Sequence, residues 1–324
     1  MENKKWKWYE NAIVYMFTAF GLTLVGEIIG VFVVYVPALV ILGFETGLEM
    51  IVSGGKAAAT KDFSPFGSTL ILYFSTIGTW IVCLLCFLRK KNRPLFRCFT
   101  KYCSGNNFKK FLLGLLIGGG MNGACILAAY LNGNITMSFD SFRPLPLLAV
   151  LLAVFIQSSS EEILCRGYLY QKLNRRYNPV VAVLGSSLFF AALHLGNPGV
   201  GVVAVLDLIL SGLLFALMVY YMDSIWCAFA AHTAWNYTQN IIFGLPNSGL
   251  TVDFSIFKLN AGATDGFFYN TAFGVEGSWF AVLVEAAVIV VIWQWGRRKG
   301  KKPTDIWKEE TIDAGKQVEY NNGR

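Results

Sequence analysis

The chain has 324 residues, 55% of them hydrophobic and only 15% charged, with a mean hydropathy of +0.51. That balance excludes an ordinary soluble protein of this length and identifies a polytopic membrane protein. The net charge of +7 is gathered in a few connecting segments and the C-terminal tail, so it reports membrane orientation and not nucleic-acid binding.

Eight apolar stretches have the length a helix needs to cross hydrocarbon, and a backbone in lipid must satisfy its own hydrogen bonds. The first, near 11–43, lacks a small-residue cleavage site and reads as a retained span that tilts or bends near Gly26 or Pro37. The second runs near 67–88. The third, near 111–132, carries Gly114 and Gly118, then Gly119 and Gly123, at the small-xxx-small spacing of close helix packing. The fourth, near 145–170, contains Glu161, Glu162 and Arg166, and the fifth, near 179–196, contains Phe190 and His194. The sixth, near 201–222, holds Asp207. The seventh, near 225–244, holds His232 and Asn236, and the eighth lies near 279–296. The expected fold class is all-α: about eight transmembrane helices around a polar intramembrane cavity. Residues 1–300 form one helical domain with a motif-bearing core at 145–245, and 301–324 is a polar tail expected to be disordered.

Lys and Arg cluster at the N-terminus, in 89–110, in 171–178 and after Arg297, while the 44–66, 133–144, 197–200 and 245–278 connections are poor in them. The positive-inside rule then places both termini in the cytoplasm, at the plasma membrane if the source is bacterial. The long 245–278 connection is expected to fold over the outer face. Asn134-Ile135-Thr136 fits a glycosylation sequon, which matters only in a eukaryotic secretory membrane. Seven cysteines, an odd number scattered through apolar stretches and a basic loop, argue against a disulfide framework. Cys83 and Cys86 have metal-ligand spacing but no nearby histidine, so a zinc site there is disfavoured.

The chemistry is carried by polar groups kept in hydrocarbon, where each costs several kcal/mol. Glu162 and Arg166 are four residues apart and share a helix face as an ion pair, which leaves Glu161 free toward another face. Phe190 and His194 share a face, as do His232 and Asn236. Taken singly, each has a bland reading: an ion-pair network, a core histidine, an interhelical hydrogen bond. Together they bring both histidines of the chain, a spare carboxylate and an amide onto neighbouring helices, the pattern of a site. Glu27, Asp207 and Glu285 are further intramembrane carboxylates. Asp207 is the best placed of them for a supporting role, with a structural hydrogen bond the stronger reading.

Glu161, Glu162 and Arg166 match Glu-Glu-x-x-x-Arg, Phe190 and His194 match Phe-x-x-x-His, and His232 and Asn236 match His-x-x-x-Asn. In that order, over about residues 145–245, they resemble the CAAX protease and bacteriocin-processing (Abi) family of intramembrane endopeptidases. Gly212 and Ser224-Ile225-Trp226 fit the linking text. The resemblance implies an eight-helix protease that cuts near the C-terminus of a membrane-associated protein or peptide. Eukaryotic members trim prenylated CAAX proteins, and bacterial ones are linked to peptide maturation, bacteriocin immunity and sorting. It also implies that Glu161, His194, His232 and Asn236 are catalytic, with Glu162, Arg166 and Phe190 in support.

Two schemes stand. In the preferred, metal-free one, Glu161 is the general base, His194 holds the water and protonates the leaving amine, and His232 and Asn236 donate to the oxyanion. In the other, zinc sits on Glu161, His194 and His232, although the chain has no His-Glu-x-x-His helix. A non-catalytic transporter or immunity-type protein is the alternative from another class, but no internal repeat supports a transporter. The expected partners are the bilayer and a membrane-associated substrate; oligomeric state is not legible. A cavity in the cytoplasmic half is expected. His194, about 15 residues into its span, then sits too deep unless that span begins well below the cytoplasmic interface, or is short and ends inside a cavity, breaking at Gly196-Asn197-Pro198-Gly199.

Overall fold

The computed structural model describes residues 7–52 and 63–308. Among these, six helical segments are long and apolar enough to cross a membrane: Ala12–Glu45, Pro65–Leu88, Phe108–Leu131, Pro144–Arg176, Val202–Met222 and Trp279–Arg298. The remaining two expected spans are also helical. One, Pro179–Leu193, is short, and the other, Ile225–Asn236, continues through a π-helical turn to Ile242. The chain is therefore a multi-pass integral membrane protein built from helices. Its departure from all-α is one small antiparallel ribbon, too short to show a strand period in the sequence.

Local sequence sets where the helices begin. Side chains of Asn11, Ser64, Asn107, Asn178, Ser224 and Ser278 accept hydrogen bonds from the first-turn amides of the helices they precede. Pro65, Pro144 and Pro179 occupy first-turn positions, where a missing N–H costs nothing. The helices are α1 (Ala12–Gly30), α2 (Val36–Val52), α3 (Pro65–Phe74), α4 (Ile77–Leu88), α5 (Phe108–Leu131) and α6 (Pro144–Glu162). They continue with α7 (Tyr170–Arg176), α8 (Pro179–Leu193), α9 (Val202–Met222), α10 (Ile225–Asn236) and α11 (Trp279–Arg298). Strand β1 (Met137–Phe139) pairs with β2 (Phe257–Leu259), with Ser138 opposite Lys258.

α1 runs into α2 through a π turn at Val31–Tyr35, just ahead of Pro37. A slipped hydrogen-bond ladder there accommodates the N–H that proline lacks. α6 runs into α7 through a second π segment, Ile163–Leu169. Such π segments recur at functional sites.

Small residues bring the helices carrying the motifs into contact. A Cβ on Gly118 would lie 1.9 Å from the Ala231 carbonyl oxygen, and one on Gly114 would lie 2.3 Å from that of Cys227. α5 and α10 thus touch backbone to backbone beside His232. Gly119 meets only ordinary contacts and Gly123 none, so one of the two small-xxx-small pairs marks the interface. Gly212 packs on Ser187 where α9 crosses α8. Phe99, in the 3-10 turn of the basic connection, stacks between Phe87 and Phe229 at 5.9 and 6.3 Å.

The tail differs from expectation at its start. Ile306 is buried, Trp307 packs between the Arg175 guanidinium at 4.0 Å and the Lys172 ammonium at 5.0 Å, and Arg97 donates to the Ile306 carbonyl. Residues 303–308 therefore clamp the basic end of the bundle. The rest of the expected disordered tail lies outside the described residues.

Candidate active site

The paired acids part company as their spacing requires. Arg166 donates to Glu162 at 2.9 Å, with both side chains fully buried, and its other nitrogen donates to the Gly212 carbonyl at 2.7 Å. The guanidinium lies over the rings of Phe190 and Phe215, 4.9 and 5.4 Å from their centroids. Phe215 in turn stacks on His232 at 5.0 Å, and Phe190 contacts the His194 ring at 4.8 Å. The ion pair and two aromatic rings so form the bed on which both imidazoles rest.

Glu161 faces a cavity of about 690 Å³, which His194, His232 and Asn236 also line. Its Oε2 lies 3.8 Å from Nε2 of His194 and 3.8 Å from Nε2 of His232, and is buried without a hydrogen-bond donor. His194 Nδ1 is 2.9 Å from the Phe190 carbonyl oxygen, which can only accept, so Nδ1 carries a hydrogen there and Nε2 is left as the free ring nitrogen. His232 Nδ1 sits 3.2 Å from Glu162 Oε1, with the same consequence for its tautomer. Three atoms that accept hydrogen bonds thus converge on one point.

His194 reaches that point because α8 stops at Leu193 and the chain turns through 194–199, with His194 in the C-cap position. The helix is short, 15 residues from Pro179 to Leu193. The cavity is not confined to the half carrying the basic loops, as expected, but is walled on the far side by Asn247, Ser248, Leu250 and Glu276 of the long connection. That segment is held by Glu276, which accepts from Trp235 Nε1 at 2.8 Å and from the Ser248 hydroxyl at 2.9 Å. Asn197 donates to the Ser248 carbonyl at 2.9 Å, so the turn bearing His194 is fastened to the same wall. Burial raises the Glu276 carboxyl above its ordinary range, against the opposing effect of the donors from Ser248 and Trp235.

Asn236 is in the site, but not free. Its amide nitrogen donates to Gln157 Oε1 at 3.0 Å and to Ser158 Oγ at 3.3 Å, and the Gln157 amide donates to Glu161 Oε1. Gln157 was missed in the sequence although it lies four residues before Glu161, on the same helix face. Glu276 and Ser248 carried no sequence signal, since a loop contact has no period. Asp207 is not brought to the site: it is fully buried on α9, within electrostatic reach of Glu285 on α11.

Ligands at about 2.0–2.1 Å on a tetrahedral zinc lie about 3.4 Å from one another, and Glu161 Oε2 stands 3.8 Å from each imidazole Nε2. Among the described residues no group of three His, Cys, Asp or Glu side chains is arranged to hold a metal.

Residues 143–238 match the family model described as Rce1-like, type II CAAX prenyl endopeptidase. No curated protein matches the chain. The matched segment runs from the start of α6 through α10, and so holds every residue of the Glu161–His194–His232 cluster and its Glu162–Arg166 support. Over that segment the chain is similar to the Rce1-like CAAX prenyl endopeptidases.

Proposed function

We propose that the protein is an intramembrane endopeptidase that hydrolyses a peptide bond near the C-terminus of a membrane-associated protein or peptide. The observation that carries this reading is the unpartnered Glu161 Oε2, facing two imidazole nitrogens at 3.8 Å inside a cavity. Three acceptors around one point call for a molecule that donates, and a water between them donates to Glu161 and to a histidine. An O···N gap of 3.8 Å is spanned by two hydrogen bonds of about 2.8–3.0 Å meeting at the water oxygen.

In this scheme Glu161 takes a proton from the water as its oxygen attacks the carbonyl carbon. His194, oriented by the Phe190 carbonyl, holds the water through its unprotonated Nε2, and the proton taken by Glu161 passes by way of that Nε2 to the amine nitrogen as the C–N bond breaks, which returns both residues to their starting forms. His232, with Nδ1 held by Glu162 Oε1, presents its Nε2 to the cavity as the second imidazole that holds the water. Asn236 holds Gln157, which holds Glu161. That makes Asn236 a positioning residue in place of the oxyanion donor that its spacing from His232 suggested. No metal takes part in the scheme. The basic segments support a cytoplasmic position for both termini.

The test is purified protein in vesicles with a library of lipid-anchored peptides, products read by mass spectrometry. A new C-terminus generated in at least one peptide is expected, and intact peptides throughout would overturn the proposal.

A further inference from the structure

Glu27 is the single charged residue between Asn11 and Phe44. It sits mid-helix, fifteen residues beyond Ala12, or about 22 Å along the axis. A carboxylate at that depth costs several kcal/mol unless something compensates it. Among the described residues Glu27 has no hydrogen bond and no ion pair, yet it is exposed and lines the same cavity as Glu161.

Its direction is fixed by the backbone. α1 and α4 cross on glycines: a Cβ on Gly26 would lie 2.5 Å from Thr79 Oγ1, one on Gly30 1.9 Å from the Ser75 carbonyl oxygen, and one on Gly78 2.0 Å from the Gly26 carbonyl oxygen. Helices this close cannot rotate past each other, so Glu27 is held beside Ser75, Thr76 and Thr79, which line the cavity as well. Along the first helical segment the lining runs from Phe20 on α1 to Val31 in the π turn, about 16 Å of wall. The acids on the cavity wall are Glu27, Glu161 and Glu276, and no Lys or Arg is among the lining residues. Glu161 is committed to the water and Glu276 to Trp235 and Ser248, which leaves Glu27 as the carboxylate available to a substrate.

We propose that Glu27 is a specificity residue, which selects membrane-tethered substrates carrying a Lys or Arg side chain along the α1 wall of the cavity. Resting on the protease reading above, it adds the charge that the substrate must bring. A cation entering the cavity along this wall meets a carboxylate that has no partner among the described residues.

The experiment measures binding, so that it does not depend on turnover. Protein carrying Glu161→Gln is placed in nanodiscs and titrated with fluorescent lipid-anchored peptides in which one Lys, or norleucine in its place, is moved along the sequence. At one or two positions the Lys peptide should bind about 10-fold tighter or more. Adding Glu27→Gln should erase that difference and Glu27→Asp should keep part of it, with elution profile and thermal unfolding showing both variants folded. Lys and norleucine peptides binding alike at every position would overturn the proposal, as would a Lys preference that survives Glu27→Gln. A Glu27-dependent preference in protein whose Glu161-containing form cleaves none of these peptides would sink the protease reading alone.

Discussion

Replacing Arg166 with alanine strands Glu162 in a fully buried position. Breaking a buried pair by removing one partner costs about 3–5 kcal/mol. The Gly212 carbonyl also loses the donor it has at 2.7 Å, a further loss of about 1 kcal/mol or more. Against this, His232 Nδ1 at 3.2 Å from Glu162 can carry a compensating proton. The net expectation is a loss of about 3–4 kcal/mol. Unfolding titrated with denaturing detergent in mixed micelles, followed by tryptophan fluorescence, reads this directly. The control is Glu162→Gln with Arg166→Met, which removes both charges and keeps the volume. It should regain about 2 kcal/mol or more while activity stays low, because His232 has lost its partner. A single variant destabilised by less than about 1 kcal/mol, or a double variant as unstable as the single, would refute the reasoning.

Asn236→Ala should lower turnover by about 10²-fold, Gln157→Leu similarly, and the double variant hardly more, since both act on Glu161 through one chain of hydrogen bonds. Multiplying losses would show that the two act separately. Active purified protein should contain far less than one zinc per chain and should survive strong chelators; stoichiometric zinc whose removal stops cleavage would favour the metal scheme. Burial lifts the Glu276 carboxyl above its unfolded range, so its contribution to stability is present at acid pH and is lost as pH rises through the raised value. The thermal midpoint of the wild type should therefore fall relative to Glu276→Gln as pH increases above 4.5, and parallel curves would contradict this.

Much of the site was legible because helix geometry converts spacing into direction. Glu162 and Arg166, four apart, are paired as their period demands, and the adjacent Glu161 turns away toward the histidines. His232 could be placed on its helix, but its partner across the bundle could not, because only tertiary packing of α10 on α6 and α5 decides it. Asn236 shows the limit: its spacing from His232 suggested a shared target, yet its amide is taken up by Gln157 and Ser158. The wall formed by Ser248 and Glu276 was hidden for another reason, since a long connection held by φ-positive Gly249 and Gly274 and a buried carboxylate carries no hydrophobic period. Six of the eight expected spans are helices long and apolar enough to cross a membrane, and Pro179–Leu193 is apolar but short, its end at Leu193 delivering His194 to Glu161.

Cleavage in the proposed scheme depends on Glu161. With a cleaved peptide in hand, single-turnover cleavage by Glu161→Gln should fall by about 10³-fold or more while the variant binds that peptide as tightly as the wild type. Near-normal cleavage by Glu161→Gln would contradict the central claim.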